Sequence, residues 1–396
     1  MHWSKGVWFY MKKIKVLQVN KLYYPEVGGI EKTLQQISEG LNEKTDLEVL
    51  VCQKKGRGIS ERVNKVQVHR AGSFGVIASV PISFSFIWKL RRMSQDVDLI
   101  QFHMPFPLGD LACLLSGYKG KVAAYWHSDV VKQKKWMIFY RPVMEAFLRR
   151  ADVILVGARG VAEGSKYLGP YLDKCHVVPF AVSESILRDG REYIDEYGCS
   201  RNNKGMQILF VGRLVYYKGI AVLIDAVKCL PESVKLTVVG DGVLEEEMKQ
   251  KCRELEIQDR VTFLGKVSDE QLKQCYREAD VFVLPSTQRS EAFGLVQLEA
   301  MAYGIPVVNT NLKSGVPEVS IHGETGLTVP PEDPVQLSEA LRWMEEHPRE
   351  RAEMGKRARK RVETHYSEQA LFSGLMKEYE ALLGCSENRK SDLDQN

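Results

Sequence analysis

Apolar residues along the chain fall into short continuous runs separated by segments of helical period. Residues 14–19 form the first run and read as a buried parallel strand; a glycine-containing loop follows, and then an amphipathic helix over about residues 31–41. Residues 47–52, 99–103 and 122–126 repeat the strand signal with helix-like segments between them, and a further run at 153–156 follows a helix ending at Arg149-Arg150. After a polar, glycine-bearing stretch at 189–205 the alternation restarts, with runs at 208–211, 235–239, 261–264 and 281–284. Strands that alternate with helices in this way predict a doubly wound α/β fold with parallel sheets, built twice. A weak internal echo agrees: Arg-Ala-Asp-Val-Ile-Leu-Val at 150–156 and Glu-Ala-Asp-Val-Phe-Val-Leu at 278–284 each run from a helix end into a strand.

Length supports the same division, because 396 residues exceed one ordinary core and suit two domains. The expected boundaries are an N-terminal domain at 11–190, a C-terminal domain at 205–365 and late helical material that includes 371–383. Residues 1–10 read as an upstream start-site extension, since Met11 precedes Lys12-Lys13 and the first strand, and the charged stretch 386–396 reads as a disordered tail. The aromatic run Gly6 to Tyr10 is too brief for a signal-peptide core, and no apolar run is long enough to cross a bilayer.

The net charge of +4, from 55 basic and 51 acidic residues, is too mild to argue for nucleic acid. The eight cysteines are scattered, with neither C-x-x-C nor Cys/His metal spacing, so neither a disulfide framework nor zinc is indicated and reduced cytoplasmic thiols are expected.

Candidate chemistry concentrates in Pro-Ser-Thr-Gln-Arg-Ser-Glu-Ala-Phe-Gly-Leu-Val-Gln-Leu-Glu at 285–299, just after a strand run. Here Glu291, on a loop, and Glu299, on the following helix, can converge on one ligand at the carboxyl end of a parallel strand. Arg213 and Lys218 lie five apart just beyond the strand at 208–211, around a turn into a helix at 220–227. Two fixed cations with helix N-terminal amides suit a phosphate. Gly240-Asp241-Gly242 is a tight turn at a strand end and reads as structural. In the first half, Gly28-Gly29 follow Tyr24-Pro25 after the first strand, where a backbone without Cβ atoms can approach a phosphate or an acceptor. That loop has no G-x-G-x-x-G, which counts against a nicotinamide site. His127 directly follows the strand at 122–126, two residues before Asp129. Asp96-Val97-Asp98 precedes a strand at the amino end of the sheet and reads as a helix-to-strand junction rather than a metal-binding D-x-D.

Taken in order, Tyr24 to Gly29, His127-Ser128-Asp129, Gly212-Arg213-Leu214 with Lys218-Gly219, Gly240 to Gly242, and Glu291 to Glu299 with Gly294, Pro306, Gly315 and Glu318, closely resemble the motifs of retaining nucleotide-sugar glycosyltransferases of family four. The resemblance spans nearly the whole chain. It implies the GT-B fold, two Rossmann-like domains facing across a cleft, with a last helix at about 366–384 crossing back to the first domain. It also implies roles. Arg213 and Lys218 hold the diphosphate; Glu299 accepts from the ribose hydroxyls; Glu291 faces the transferred sugar; the amides of Phe293, Gly294 and Leu295 add donors to the diphosphate; Gly28 and Gly29 line the donor; His127 touches the sugar and the reacting centre. No metal and no separate cofactor are expected, because the cations neutralise the leaving group.

The donor implied first is GDP-mannose, from the likeness of His127-Ser128-Asp129-Val130 and Ser314 to Pro317 to mannosyl- and rhamnosyltransferase-like members that build surface polysaccharide; a UDP-sugar comes second. The acceptor implied is a growing, lipid-linked oligosaccharide. It would bring the enzyme to the inner face of a membrane, and Lys132, Lys134, Lys135 and Trp136, with Arg141, Arg149 and Arg150 beyond, mix cations with large apolar groups, which suits either an anionic lipid surface or a core of aromatics rimmed by solvated lysines. Rival readings are a nucleotide-sugar 2-epimerase, an inert glycan- or partner-binding module and, more distantly, a dehydrogenase. The joint presence of His127, Arg213, Lys218, Glu291 and Glu299 weighs against inertness.

Overall fold

The structure is a computed structural model that describes residues 13–26, 28–77, 80–130, 134–198 and 205–384, without the side chains of residues 134–136. The expected extension at 1–10 and the tail at 386–396 lie outside the described residues.

The first sheet is formed by β1 (Lys15–Val19), β2 (Asp46–Cys52), β3 (Ile59–Val63), β4 (Val66–Ala71), β7 (Leu99–Met104), β8 (Lys121–Trp126), β9 (Val153–Val156) and β10 (Cys175–Val177); β5 (Val76–Ile77) and β6 (Val80–Pro81) make a small separate ribbon. Its order is β10-β9-β8-β7-β1-β2-β4-β3. β1 pairs in parallel with β2 and β7, and β3 closes the edge antiparallel to β4. Burial explains the composition: β1, β2 and β7 are almost wholly enclosed and mainly apolar, with Gln18, Gln101 and His103 buried among the apolar residues, whereas β3 at the edge is largely exposed and carries Ser60, Glu61 and Arg62.

The second sheet contains β11 (Gln207–Val211), β12 (Lys235–Val239), β13 (Val261–Gly265), β14 (Val281–Leu284), β15 (Val307–Thr310) and β16 (Gly326–Val329), all parallel, in the order β13-β12-β11-β14-β15-β16. Its core joins Phe210, Val238, Val283 and Val308 of the strands to Leu223 and Leu341 of the helices Ile220–Lys228 and Pro334–Glu346. Both sheets have the doubly wound Rossmann arrangement, in which the chain leaves a central strand pair in opposite directions.

Three aspartates start these strands in the same way. Asp98 accepts from the amide of Lys15 (2.9 Å), Asp152 from that of Val122 (2.8 Å) and Asp280 from that of Gln207 (2.9 Å), and the amide of each aspartate bonds back to the same neighbour's carbonyl. The echo between 150–156 and 278–284 is therefore a repeated strand-entry device, and Asp98 is occupied as a junction residue.

The chain divides into two compact units. One comprises the chain to Tyr125, Lys135–Ile154 and Met376 onward; the other comprises Trp126–Lys134 and Leu155–Leu375. The second unit thus begins well before the expected boundary near 190–205. Its early part is tied to the loops of the second sheet: the Glu318 carboxylate accepts from the amides of Arg159 (3.0 Å) and Gly160, and Arg289 Nη1 donates to the Gly164 carbonyl (2.7 Å). Asp189 takes hydrogen bonds from Arg277 and Tyr303 (2.5 Å each). The terminal helix Glu368–Leu382 contributes its last residues to the first unit, where Tyr379 OH donates to Gln101 Oε1 (2.8 Å) and accepts from Gln18 Nε2 (3.1 Å).

Candidate active site

In the second sheet the chain leaves β11 toward β12 on one side and β14 toward β15 on the other. That makes the carboxyl ends of β11 and β14 the switch point, where an open α/β sheet has its ligand crevice. The loops that follow these two strands carry Arg213, Lys218 and Glu291, and the helix Leu295–Ala302 carries Glu299.

Backbone packing brings the loops together. Gly219 sits at φ +71° before the helix Ile220–Lys228, and a Cβ there would lie 1.9 Å from the carbonyl oxygen of Pro285. Thr287 N donates to the Tyr217 carbonyl at 2.8 Å. The result is an ion pair between Lys218 Nζ and Glu291 Oε2, with side chains only 12% and 10% exposed. Ser286 Oγ also donates to Glu291 Oε2 (3.2 Å). Arg213 is exposed and donates from Nη2 to the Tyr217 hydroxyl (3.1 Å), while Lys218 Nζ lies 5.9 Å from the Tyr217 ring centroid.

Glu299 is held from behind. Tyr276 OH donates to its Oε2 at 2.7 Å, and the Tyr276 ring stacks on Tyr303 at 5.4 Å, whose hydroxyl donates to Asp189. Burial, and then the neighbouring carboxylate, push the Tyr276 hydroxyl well above its ordinary range, so it remains a proton donor. Gly294 begins the helix at φ +71°, and a Cβ there would meet Leu284 Cδ2 at 2.5 Å. Behind that helix start buried Gln297 and Asn309 form a chain with half-buried Thr328: Asn309 Nδ2 donates to Gln297 Oε1 (2.9 Å) and Thr328 Oγ1 to Asn309 Oδ1 (2.8 Å).

His127 is buried in the same unit with its ring stacked on Phe180 at 5.0 Å, and Phe180 meets Phe293 edge to face at 5.1 Å. Asp129 accepts from Ser165 Oγ (2.6 Å) and the Lys166 amide (2.9 Å), with Arg289 Nη2 at 3.9 Å. His127 is thus joined through the Phe180 ring to Phe293, the residue preceding Gly294. Gly240 and Gly242 are needed for packing: their Cβ atoms would lie 2.2 Å from the Gly212 carbonyl oxygen and 2.3 Å from that of Leu214.

Arg213, Lys218, Glu291, Glu299, Phe293, Gly294, Leu295 and His127 all belong to the second unit, in which Lys218 meets Glu291 directly and His127 reaches Phe293 through Phe180. Gly28 and Gly29 belong to the first unit, where Gly28 is in extended backbone and caps the helix Gly29–Leu41. Lys132 and the side chains of Lys134, Lys135 and Trp136 lie outside the described residues. Sequence reasoning missed Tyr276, Ser286 and the Gln297-Asn309-Thr328 chain. The signal available was a polar residue inside an apolar run, as in Val-Val-Asn-Thr at 307–310.

Parallel sheets with cations and carboxylates beyond a strand switch point have the arrangement in which open α/β folds hold their ligands. Residues 27–185 match the family model described as Glycosyltransferase Family 4, and residues 199–361 match Glycosyl transferases group 1. The chain is 32% identical to D-rhamnosyltransferase WbpZ of Pseudomonas aeruginosa over 88% of its length and 91% of that protein. It is 29% identical to O-antigen chain mannosyltransferase C of Escherichia coli over 93% and 99%. Among solved structures, sucrose-phosphate synthase from Thermosynechococcus elongatus shares the fold at a TM-score of 0.76 and 22% identity (94% and 100% covered), and Anabaena HepE in complex with UDP at 0.73 and 18% (93% and 100%). The chain belongs to the family-four, group 1 glycosyltransferases and has their GT-B fold.

Proposed function

We propose that this glycosyltransferase moves a mannose-type sugar, with GDP-mannose as first donor, onto a hydroxyl of a growing lipid-linked glycan in surface polysaccharide synthesis, with retention of configuration and without a metal. The observation that carries the reading is the enclosed ion pair of Lys218 with Glu291 on the loops that follow β11 and β14, with Arg213 hydrogen-bonded to Tyr217 beside Lys218. The relatives named for rhamnosyl and mannosyl transfer support the sugar, since D-rhamnose is mannose without its terminal hydroxyl.

Lys218 and Arg213 stabilise negative charge that grows on the diphosphate as the bond from the anomeric carbon to the phosphate oxygen breaks. The acceptor hydroxyl attacks on the face the diphosphate leaves, and its proton passes to a diphosphate oxygen. Glu299, pinned by Tyr276, is oriented to accept from the ribose; Glu291 and His127 serve the sugar. A lipid-linked acceptor places the enzyme at an inner membrane face, where Lys132, Lys134, Lys135 and Trp136 would meet anionic lipid.

The test incubates the protein and EDTA with GDP-mannose or UDP-sugars and a lipid-linked glycan, and reads the product's anomeric configuration by NMR. An α-mannoside formed with EDTA present supports the reading. Transfer only from UDP-sugars overturns the donor, and release of free nucleoside diphosphate with an epimerised sugar overturns the class of transfer.

A further inference from the structure

The strand order of the first sheet fixes where three of its helices lie. The connections from β4 to β7, β7 to β8 and β8 to β9 all step in one direction along the sheet, so right-handed crossovers put their helices on a single face. These are Phe84–Met93, Pro107–Ser116 and Lys134–Arg150. The first two pack side by side, and Tyr140 OH on the third donates to Asp110 on the second (2.5 Å).

The outer side of this layer is apolar where a surface helix should be polar. On Pro107–Ser116 the exposed residues are Leu111, Leu114 and Leu115, spaced i, i+3, i+4 along one stripe turned to solvent. On Phe84–Met93, Phe84 and Trp88 are 74% and 61% exposed, one turn apart. Phe74, also 74% exposed, meets Phe84 edge to face at 6.2 Å and extends the patch onto the β5–β6 ribbon, where Ile77 is exposed. On the third helix Ile138 and Phe139 are 74% and 76% exposed. An apolar surface of this extent on one face marks an interaction site.

Charge identifies the partner. Among the described residues of these helices every exposed charged side chain is an arginine, Arg91, Arg92, Arg141 and Arg149, while Asp96 just past the first helix is exposed and, with Asp46 and Glu48, lines the cavity that Trp88 and Arg92 also border. Glu145 is half-buried and accepts from Arg141, and Asp110 is buried against Tyr140. From Phe74 to Gln95 the sequence contains no acidic residue. Arg92 lies over the Trp88 ring at 5.6 Å, an aromatic body beside a cation as at a lipid headgroup boundary. We propose that this three-helix face docks on an anionic lipid bilayer, with Phe84, Trp88, Leu111 and Leu115 entering the headgroup boundary and the arginines engaging lipid phosphates. The proposal deepens the reading of a lipid-linked acceptor and concerns residues outside the catalytic machinery.

The test is co-sedimentation of the full chain with vesicles of phosphatidylglycerol and phosphatidylcholine, or of phosphatidylcholine alone. The expected result is binding to the mixed vesicles at least about tenfold tighter than to the neutral ones, weakened about tenfold by Phe84→Glu/Trp88→Glu. The exposed pair Arg91→Gln/Arg92→Gln, which leaves the apolar residues in place, should weaken it as well. No binding, equal binding to both vesicles, or unchanged binding by both variants overturns the proposal. So does a concentration-dependent dimer that the variants abolish, which would make a second copy the occupant. Sugar transfer to a water-soluble acceptor, measured in parallel, separates the two readings, because its loss sinks the enzymatic proposal and leaves the vesicle result standing.

Discussion

Lys218 and Glu291 form an ion pair in the second unit, each about nine-tenths enclosed. The pair joins the cation expected at the diphosphate to the carboxylate expected at the sugar. Removing one member leaves the other buried and unpaired, at a cost of about 3 kcal/mol. We therefore expect Lys218→Ala and Glu291→Ala each to lower stability in urea, and Lys218→Met/Glu291→Leu to recover most of it while remaining inactive. If the single variants are as stable as the parent chain, the pair is not a buried one in solution.

Tyr276 and Glu299 make the second prediction. The tyrosine fixes one carboxylate oxygen at 2.7 Å and touches no position assigned to substrate. A hydrogen bond to a charged group contributes about 1.5–3 kcal/mol. Tyr276→Phe should raise the donor KM roughly tenfold with little change in kcat, whereas Glu299→Ala should weaken donor binding further. A fall in kcat with unchanged KM would show that Tyr276 acts elsewhere.

Most of the parallel strands were legible because burial on both faces leaves continuous apolar runs, as at Val281–Leu284. β3, β4, β15 and β16 were not, since Ile59–Val63 is an exposed edge and polar residues interrupt Val-Gln-Val-His-Arg-Ala at 66–71, Val-Val-Asn-Thr at 307–310 and Gly-Leu-Thr-Val at 326–329. Arg213, Lys218, Glu291 and Glu299 stood out because each follows closely on a strand run. Their supports did not: Tyr276 comes from the preceding helix Asp269–Glu278 and Asp189 from a helix nearly ninety residues away from its partner Arg277, and only tertiary packing puts them behind Glu299. For the same reason the unit around the second sheet takes in the chain from Leu155, since Glu318 reaches back to the amides of Arg159 and Gly160.

Gly219 offers a test of loop packing. Its φ of +71° alone disfavours a side chain by about 1 kcal/mol, and the Pro285 carbonyl leaves no room for a Cβ. Gly323, at φ +76° with open space around it, carries only the first cost. Gly219→Ala should therefore lose clearly more stability than Gly323→Ala and should also lose donor binding, because it separates the loops that carry Lys218 and Glu291. Equal effects in urea unfolding would refute the contact.

His103 sets a pH dependence in the first unit. Its Nε2 lies 3.0 Å from Gln18 Oε1, and burial pushes the imidazole down to about 3. The unfolded chain, with an ordinary histidine near 6.5, binds a proton that the folded chain refuses, so this residue favours unfolding as pH falls from about 6.5 toward 3. Stability should be fully present above that window and decline within it by at most about 1.4 kcal/mol per pH unit from this group. His103→Gln, which retains a donor for Gln18, should flatten the decline between pH 6.5 and 4.5 when urea midpoints are compared. A variant whose midpoints fall as steeply as those of the parent chain would assign the acid sensitivity to other groups.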